Sequence, residues 1–399
     1  MQQVAKNRTL TMTTKAIALK TLTATAVLCA LTATAQAATI GGTDVTYGGY
    51  VKLDAMWSDY SDGVPAGGSI GRDFYIPSTT PVGTDVDSDP VFDMHARQSR
   101  FFLGTATKLD DGKEIKTKIE VDFIASAPGG DERVSNSYAP RIRQAFITYD
   151  GWLFGQAWSN FQNVGALPET LDFIGPAEGT VFVRQAQARY TTGNWSFSLE
   201  NPESTITTQG GARATIDDST LPDFTARYNM SADWGEFVVA ALARQLTYKQ
   251  NGLDADETSF GISASGKVNF GENNLKFMLT QGKGLGRYIG VNVAHGAVLN
   301  GDELDAIDST SGFIAYQQNW NSQWRSTFVY SFFSADNNTD LLAITGDPTK
   351  SSQSYSANIL YSPVKKLTFG AELKHAEREV ESGNDGDMER LQFSVKYAF

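Results

Sequence analysis

Leu391-Gln392-Phe393-Ser394-Val395-Lys396-Tyr397-Ala398-Phe399 closes the chain and alternates without a break. Leu391, Phe393, Val395, Tyr397 and Phe399 share one face, and Gln392, Ser394, Lys396 and Ala398 share the other. Successive side chains on a strand point to opposite faces, so this is a strand with one apolar side and one wet side. A soluble sheet produces the same pattern. The choice between the two rests on the other end of the chain.

That end carries an export signal. Lys15 and Lys20, reinforced by Lys6 and Arg8, precede an apolar stretch around residues 24–31, and Ala35-Gln36-Ala37 forms an A-x-A cleavage site. Residues 1–37 are therefore expected to be a signal peptide, with Ala38 first in the mature chain, whether translation starts at Met1 or Met12. The apolar stretch falls short of the roughly 20 residues of a membrane-spanning helix. Cys29, the only cysteine, lies inside it behind a Leu28 that suits no lipoprotein site, so the mature chain has no thiol and no disulfide. An exported chain that ends on such a strand resembles the bacterial outer-membrane barrels. In them the terminal aromatic is an assembly signal, a role that falls here on Tyr397 and Phe399, with the barrel-assembly machinery as partner.

Composition is consistent with that localisation in the bacterial outer membrane. No segment beyond the signal is apolar enough for a transmembrane helix, and a barrel needs an apolar residue only at every second strand position. The formal charge is −12, and loss of the four basic residues of the signal takes it to −16 for residues 38–399. So acidic a chain argues against nucleic-acid binding, which wants a basic face.

The mature part reads as an all-β transmembrane antiparallel barrel of about 16 strands, occupying residues 38–399. Val45–Trp57 is the first strand and Met388–Phe399 the last. His95–Lys108 and Lys113–Ala125 form a hairpin through an Asp-Gly turn. In the second of these, Ile115, Thr117, Ile119, Val121 and Phe123 oppose Glu114, Lys116, Lys118, Glu120 and Asp122. Charges that fill one whole face need water, and with lipid outside that water lies in a lumen. Further hairpins turn near Gly151, Gly193, Asp233, Glu272, Asn321 and Pro363. An even strand count puts both termini and the short turns in the periplasm and the long loops outside. Trp152, Trp195, Trp234, Trp320 and Trp324 lie near short turns, as a girdle at the membrane boundary requires. Arg141–Tyr149 and Gly312–Asn319 alternate poorly, which a contact with a neighbouring subunit explains.

The long loops are acidic, with Asp254, Asp256, Glu257, Asp385 and Asp387 among their carboxylates. Solubility explains them. Loop-bound Ca2+ or Mg2+ bridging to lipopolysaccharide is the sharper reading, though no D-x-D-x-D-G loop is present. No other metal site or cofactor is expected. The third long loop, residues 161–179, is apolar for an external loop. General porins fold their third loop into the lumen, and by that resemblance this one is a constriction loop with Glu169 and Asp172 lining it. Packing on a subunit contact is the alternative.

Arginines mark the opposite wall. Arg100, Arg189 and Arg227 share the polar face of their strands, and Arg143, Arg244, Arg287 and Arg325 are expected to join them as pore-lining, solute-binding residues. Arg184 has the wrong parity. A ladder of arginine opposite carboxylates sets up a transverse field that favours anions. The same residues could instead pair with Asp and Glu and stiffen the wall.

Several strings carry a family likeness. Ala96-Arg97-Gln98-Ser99-Arg100-Phe101, Gly155-Gln156-Ala157-Trp158-Ser159-Asn160-Phe161, Leu167-Pro168-Glu169-Thr170-Leu171-Asp172-Phe173 and Arg184-Gln185-Ala186-Gln187-Ala188-Arg189-Tyr190 resemble motifs of the DcaP-like porins. So do Leu221-Pro222-Asp223-Phe224-Thr225-Ala226-Arg227-Tyr228 and Gly282-Lys283-Gly284-Leu285-Gly286-Arg287-Tyr288. The resemblance implies a homotrimeric outer-membrane diffusion porin for small hydrophilic solutes, preferring anions such as dicarboxylates. Some members carry a helical stalk before the barrel; here the first strand is expected to begin almost at Ala38. A non-selective general porin is the runner-up. A barrel enzyme or adhesin is the more distant rival, since no G-x-S-x-G, H-E-x-x-H or cysteine nucleophile is present.

Overall fold

The computed structural model describes residues 36–84, 86, 88–124, 134–250 and 252–399. Most of the signal segment lies outside them. A short strand, Gln36–Ile40, spans the expected cleavage site and pairs with Thr43–Tyr47.

Sixteen antiparallel strands close into a barrel. In chain order they are β1 (Thr43–Tyr60), β2 (Arg100–Lys108), β3 (Glu114–Asp122), β4 (Arg141–Tyr149), β5 (Trp152–Trp158), β6 (Arg184–Thr192), β7 (Trp195–Glu200) and β8 (Asp223–Ala232). The second half comprises β9 (Gly235–Tyr248), β10 (Ala255–Phe270), β11 (Asn273–Lys283), β12 (Asp308–Asn319), β13 (Trp324–Asp336), β14 (Thr349–Val364), β15 (Leu367–Val380) and β16 (Asp385–Ala398). Each pairs with the next, and β16 returns to β1, with Tyr50 opposite Ala398 and Tyr60 opposite Met388. The segment Val91–His95 continues the line of β2 along β1, with His95 opposite Asp54.

Alternation sorts the side chains as a water-filled barrel in lipid requires. On β1, Val51, Leu53 and Trp57 are exposed outward, whereas Lys52, Asp54 and Ser58 are buried inside. Trp152, Trp195, Trp234, Trp320 and Trp324 are all exposed at the short-turn end. Trp195 and Phe197 stack, and Trp152 packs on Tyr190, which makes this edge an aromatic belt.

The two poorly alternating strands have internal causes. Glu120 pairs with Gln144 but Val121 pairs with Ile142, so Arg143 is the extra residue of a β-bulge and the outward parity shifts there. On β12, Phe313 and Ala315 point inward into an apolar core shared with the loops. That core joins Phe161, Val181 and Val183 of the third loop, Leu285, Ile289 and Val293 of the sixth, and Ala240, Leu242, Met278 and Val329 of the wall. The inner wall is apolar because loops cover it, so no subunit contact is needed to explain the pattern.

A second core packs Phe74, Tyr75 and Ile76 of the first loop against Ile174 and Ala177 of the third. Outside the barrel, Arg213–Ile216, Ser204–Thr207, Ala297–Asn300 and Glu303–Ala306 form a small sheet of fourth- and sixth-loop strands. Several strands overrun their sequence-based ends. β10 starts at Ala255 and β16 at Asp385, which puts Asp256, Glu257, Asp385 and Asp387 on strands rather than in loops. Above the hydrocarbon a strand needs no apolar residues, so the alternation that marks it in the sequence stops before the strand does.

Candidate functional site

The third loop, residues 159–183, lies within the barrel and is held by the wall through side chains, with Asn160 bonded to Ser196, Asn163 to Ser265 and Glu178 to Ser354, and through its backbone. Lys52 Nζ donates to the Leu171 carbonyl at 2.6 Å and Lys276 Nζ to that of Leu167 at 2.6 Å. Lys374 Nζ donates to the Gly175 carbonyl at 2.5 Å, and Arg227 to that of Gln162 at 2.7 Å. From the acidic side, Glu372 accepts from the Leu171 and Asp172 amides at 2.8 and 3.2 Å. Gly179 meets the wall so closely that a Cβ there would lie 2.1 Å from the Gly312 carbonyl oxygen.

The two acidic residues expected to line this loop differ in role. Glu169 reaches the far wall, where Arg325 grips its carboxylate from Nε and Nη2 at 2.6 and 2.7 Å and Gln317 donates at 2.9 Å. Burial opposes ionisation of Glu169, but the Arg325 hydrogen bonds and charge, with Lys396 and Lys276 nearby, outweigh it and hold the carboxyl below its ordinary value. Asp172 instead is buried and turned into the loop. Its oxygens accept from the amides of Tyr75 at 2.8 Å, Ile174 at 3.1 Å and Gly175 at 2.9 Å. It ties the first loop to the third.

The seven arginines divide into paired and unpaired groups. Arg143 bonds Glu120 at 2.8 Å and Asp122 at 2.7 Å, and Arg141 bonds Asp122 at 2.7 Å. Arg100 stands 3.8 Å from Glu120 and lies over the Tyr50 ring, while Lys118 is 2.9 Å from Glu120. Four cations thus share two carboxylates, which leaves the cluster positive. Arg244 lies 3.2 Å from Asp223, which also accepts from the Tyr288 hydroxyl. Arg287 is on no strand. It sits in the turn Gly286–Tyr288 of the sixth loop, folded in to reach Gln185 at 2.8 Å and Glu203 at 3.1 Å. Arg325 belongs to Glu169.

Arg189 and Arg227 are different. Both have the inward parity, and they flank β7, where Arg189 pairs with Ser198 and Arg227 with Ser196. Arg227 donates to Asn229 at 2.7 Å and to the Gln162 carbonyl, both neutral acceptors. Among the described residues neither makes an ion pair with a carboxylate. Arg184 has the outward parity and begins its strand, with its guanidinium over the Trp158 ring at 4.6 Å.

The wall lysines Lys52, Lys276, Lys374 and Lys396 add loop-binding cations that the arginine pattern does not include. Their parity was available: Lys396 alternates with Val395 and Tyr397 in the closing stretch.

Comparison with known proteins agrees with the architecture. No curated protein matches the sequence. The crystal structure of the outer membrane channel DcaP of Acinetobacter baumannii is similar over 90% of this chain and 99% of that one, with 24% identity and a TM-score of 0.76. An anion-selective porin from Comamonas acidovorans aligns over 90% and 100% of the two chains, at 12% identity and a TM-score of 0.53. A trimer form of OmpT from Vibrio cholerae does so over 90% and 100%, at 11% identity and 0.53. These likenesses show the fold. The sequence itself matches the DcaP outer membrane protein family over residues 88–399, so the chain belongs to that family of bacterial outer-membrane channels.

Proposed function

We propose that this chain is a passive, non-enzymatic diffusion channel that prefers small hydrophilic anions, dicarboxylates among them. The observation that carries the preference is the Arg189–Arg227 pair: two guanidinium groups of inward parity that, among the described residues, form no ion pair, with Glu200 and Glu236 acting on them only at longer range. Arginine stays charged at any physiological pH and offers a planar fork that matches a carboxylate. The positive cluster around Arg100 and Arg143 adds to the field along the same wall.

The mature protein is taken to be residues 38–399, freed of a signal peptide and assembled as a homotrimer in contact with lipopolysaccharide. The trimer form of the Vibrio cholerae outer membrane protein supports the assembly. The acidic rim suits Ca2+ or Mg2+.

A non-selective porin is the second reading. It draws on the ion pairs of Arg143, Arg244 and Arg325, which cancel much of the expected ladder. The reversal potential of the purified protein in a planar bilayer under a KCl gradient separates the two, followed by a dicarboxylate series. Anion selectivity that falls in an Arg189→Ala, Arg227→Ala double variant supports the proposal. Cation selectivity, or selectivity unchanged in that variant, sinks it.

A further inference from the structure

The outer face of the barrel carries a group of side chains that neither lipid contact nor transport explains. Ala357, Leu373, Leu391 and Trp57 face each other across β14, β15, β16 and β1 and form the last apolar row below the extracellular rim. One step up on the same outward parity the row reads Tyr355, His375, Glu389 and Asp59. The next holds Gln353, Glu377 and Asp387. Four carboxylates and one histidine thus gather where the apolar band ends, with the barrel wall behind them.

Three of them stand close enough to close around one ion after small side-chain movements. One donor atom each of His375, Glu377 and Asp387 lies within 4.8 Å of the others. His375 turns Nε2 toward Glu377 Oε1 at 2.9 Å, while its Nδ1 meets Glu389 Oε1 at 2.7 Å. A carboxylate on the far ring nitrogen fixes the tautomer and aims the other nitrogen, as the outer-shell partner of a metal-bound histidine does. Glu377 is held in turn by Gln353, which donates to its other oxygen at 2.6 Å. Both first ligands are therefore oriented by groups that would not themselves touch the ion.

We propose that His375, Glu377 and Asp387 bind a divalent transition cation such as Zn2+ on the lipid-facing rim. One imidazole with two carboxylates suits zinc, whose ligand atoms stand about 2 Å from the ion, and three protein ligands leave a fourth position open to water or a headgroup phosphate. Calcium and magnesium, which take oxygen ligands in larger numbers, fit the set less well. The site is independent of the lumen and of the solute the channel passes.

The test is titration of the folded, detergent-solubilised full-length protein with Zn2+ alone, read by calorimetry. Wild type should bind one ion per chain. His375→Ala should lose that binding, and Asp387→Asn should weaken it at least tenfold. Glu389→Gln, which touches only the orienting contact, should lower affinity about 10- to 100-fold. Planar-bilayer conductance, read from the lumen, should stay at the wild-type value in all three and reports that each has folded. Absence of Zn2+ binding by wild type, equal binding by the folded His375→Ala variant, or displacement of Zn2+ by equimolar Mg2+ would overturn the assignment.

Discussion

Glu169, on the loop that enters the barrel, and Arg325, on the wall it reaches, form a two-pronged ion pair at 2.6 and 2.7 Å. The charged wall side chains Lys52, Lys276, Lys374, Arg227 and Glu372 engage the loop backbone, whereas this pair joins a loop carboxylate to a wall guanidinium. Glu169→Gln keeps the shape and removes the charge. Both partners are partly exposed, so after solvent screening the loss is about 1–2 kcal/mol. The expected outcome is a slightly lower unfolding temperature with a noisier single-channel current. Identical current traces would show that the pair holds nothing in place.

The same pair sets an acid limit. The Glu169 carboxyl is held below its ordinary value of 4.5, so its contribution to stability is complete above that value and is lost as the pH falls through the depressed one. Conductance noise should rise only below about pH 4.5. In the Glu169→Gln variant it should be independent of pH over the same range.

Arg143 stands in a bulge and bridges Glu120 and Asp122. Arg143→Ala leaves those carboxylates to Arg100, Lys118 and Arg141, at longer range or from the side. A loss of about 2–3 kcal/mol is expected, below the full cost of an orphaned buried charge. Arg143→Lys should recover only part of it, because an ammonium cannot span two carboxylates as a planar fork does. Heat-modifiability of the folded band on a gel reads both variants.

Gly179 has no room for a side chain against Gly312. Gly179→Ala should push the loop off the wall at a cost of about 1–3 kcal/mol. Faster amide exchange across residues 161–179, with the barrel strands still protected, is the expected signature.

Much of this architecture is legible in the sequence, and the exceptions have physical causes. Alternation in β3 and β16 locates lumen and lipid directly, because each face there meets a single solvent. It fails in β4, where the bulge at Arg143 shifts the count, and in β12, where Phe313 faces a lumen filled by loops. Parity places Arg100, Arg189, Arg227 and Arg325 on the inner wall but says nothing about partners. Only the fold brings Glu169 to Arg325 across the barrel and leaves Arg189 without an ion pair among the described residues. Arg287 reaches inward by a different route. A loop that folds back inward puts its residues in the lumen without any strand period to announce them.

The apolar core shared by the third loop, the sixth loop and the inner wall bears on any attempt to widen this channel. Excising the third loop would not leave a larger water-filled tube. It would strip cover from Met278, Phe313 and Val329 and present a greasy stripe to the lumen water. Such a barrel would recruit detergent, a lipid tail or the remaining loops into the gap. Bore and foldability are thus coupled here, and a wider variant requires polar replacements on β11 to β13 before the loop is shortened.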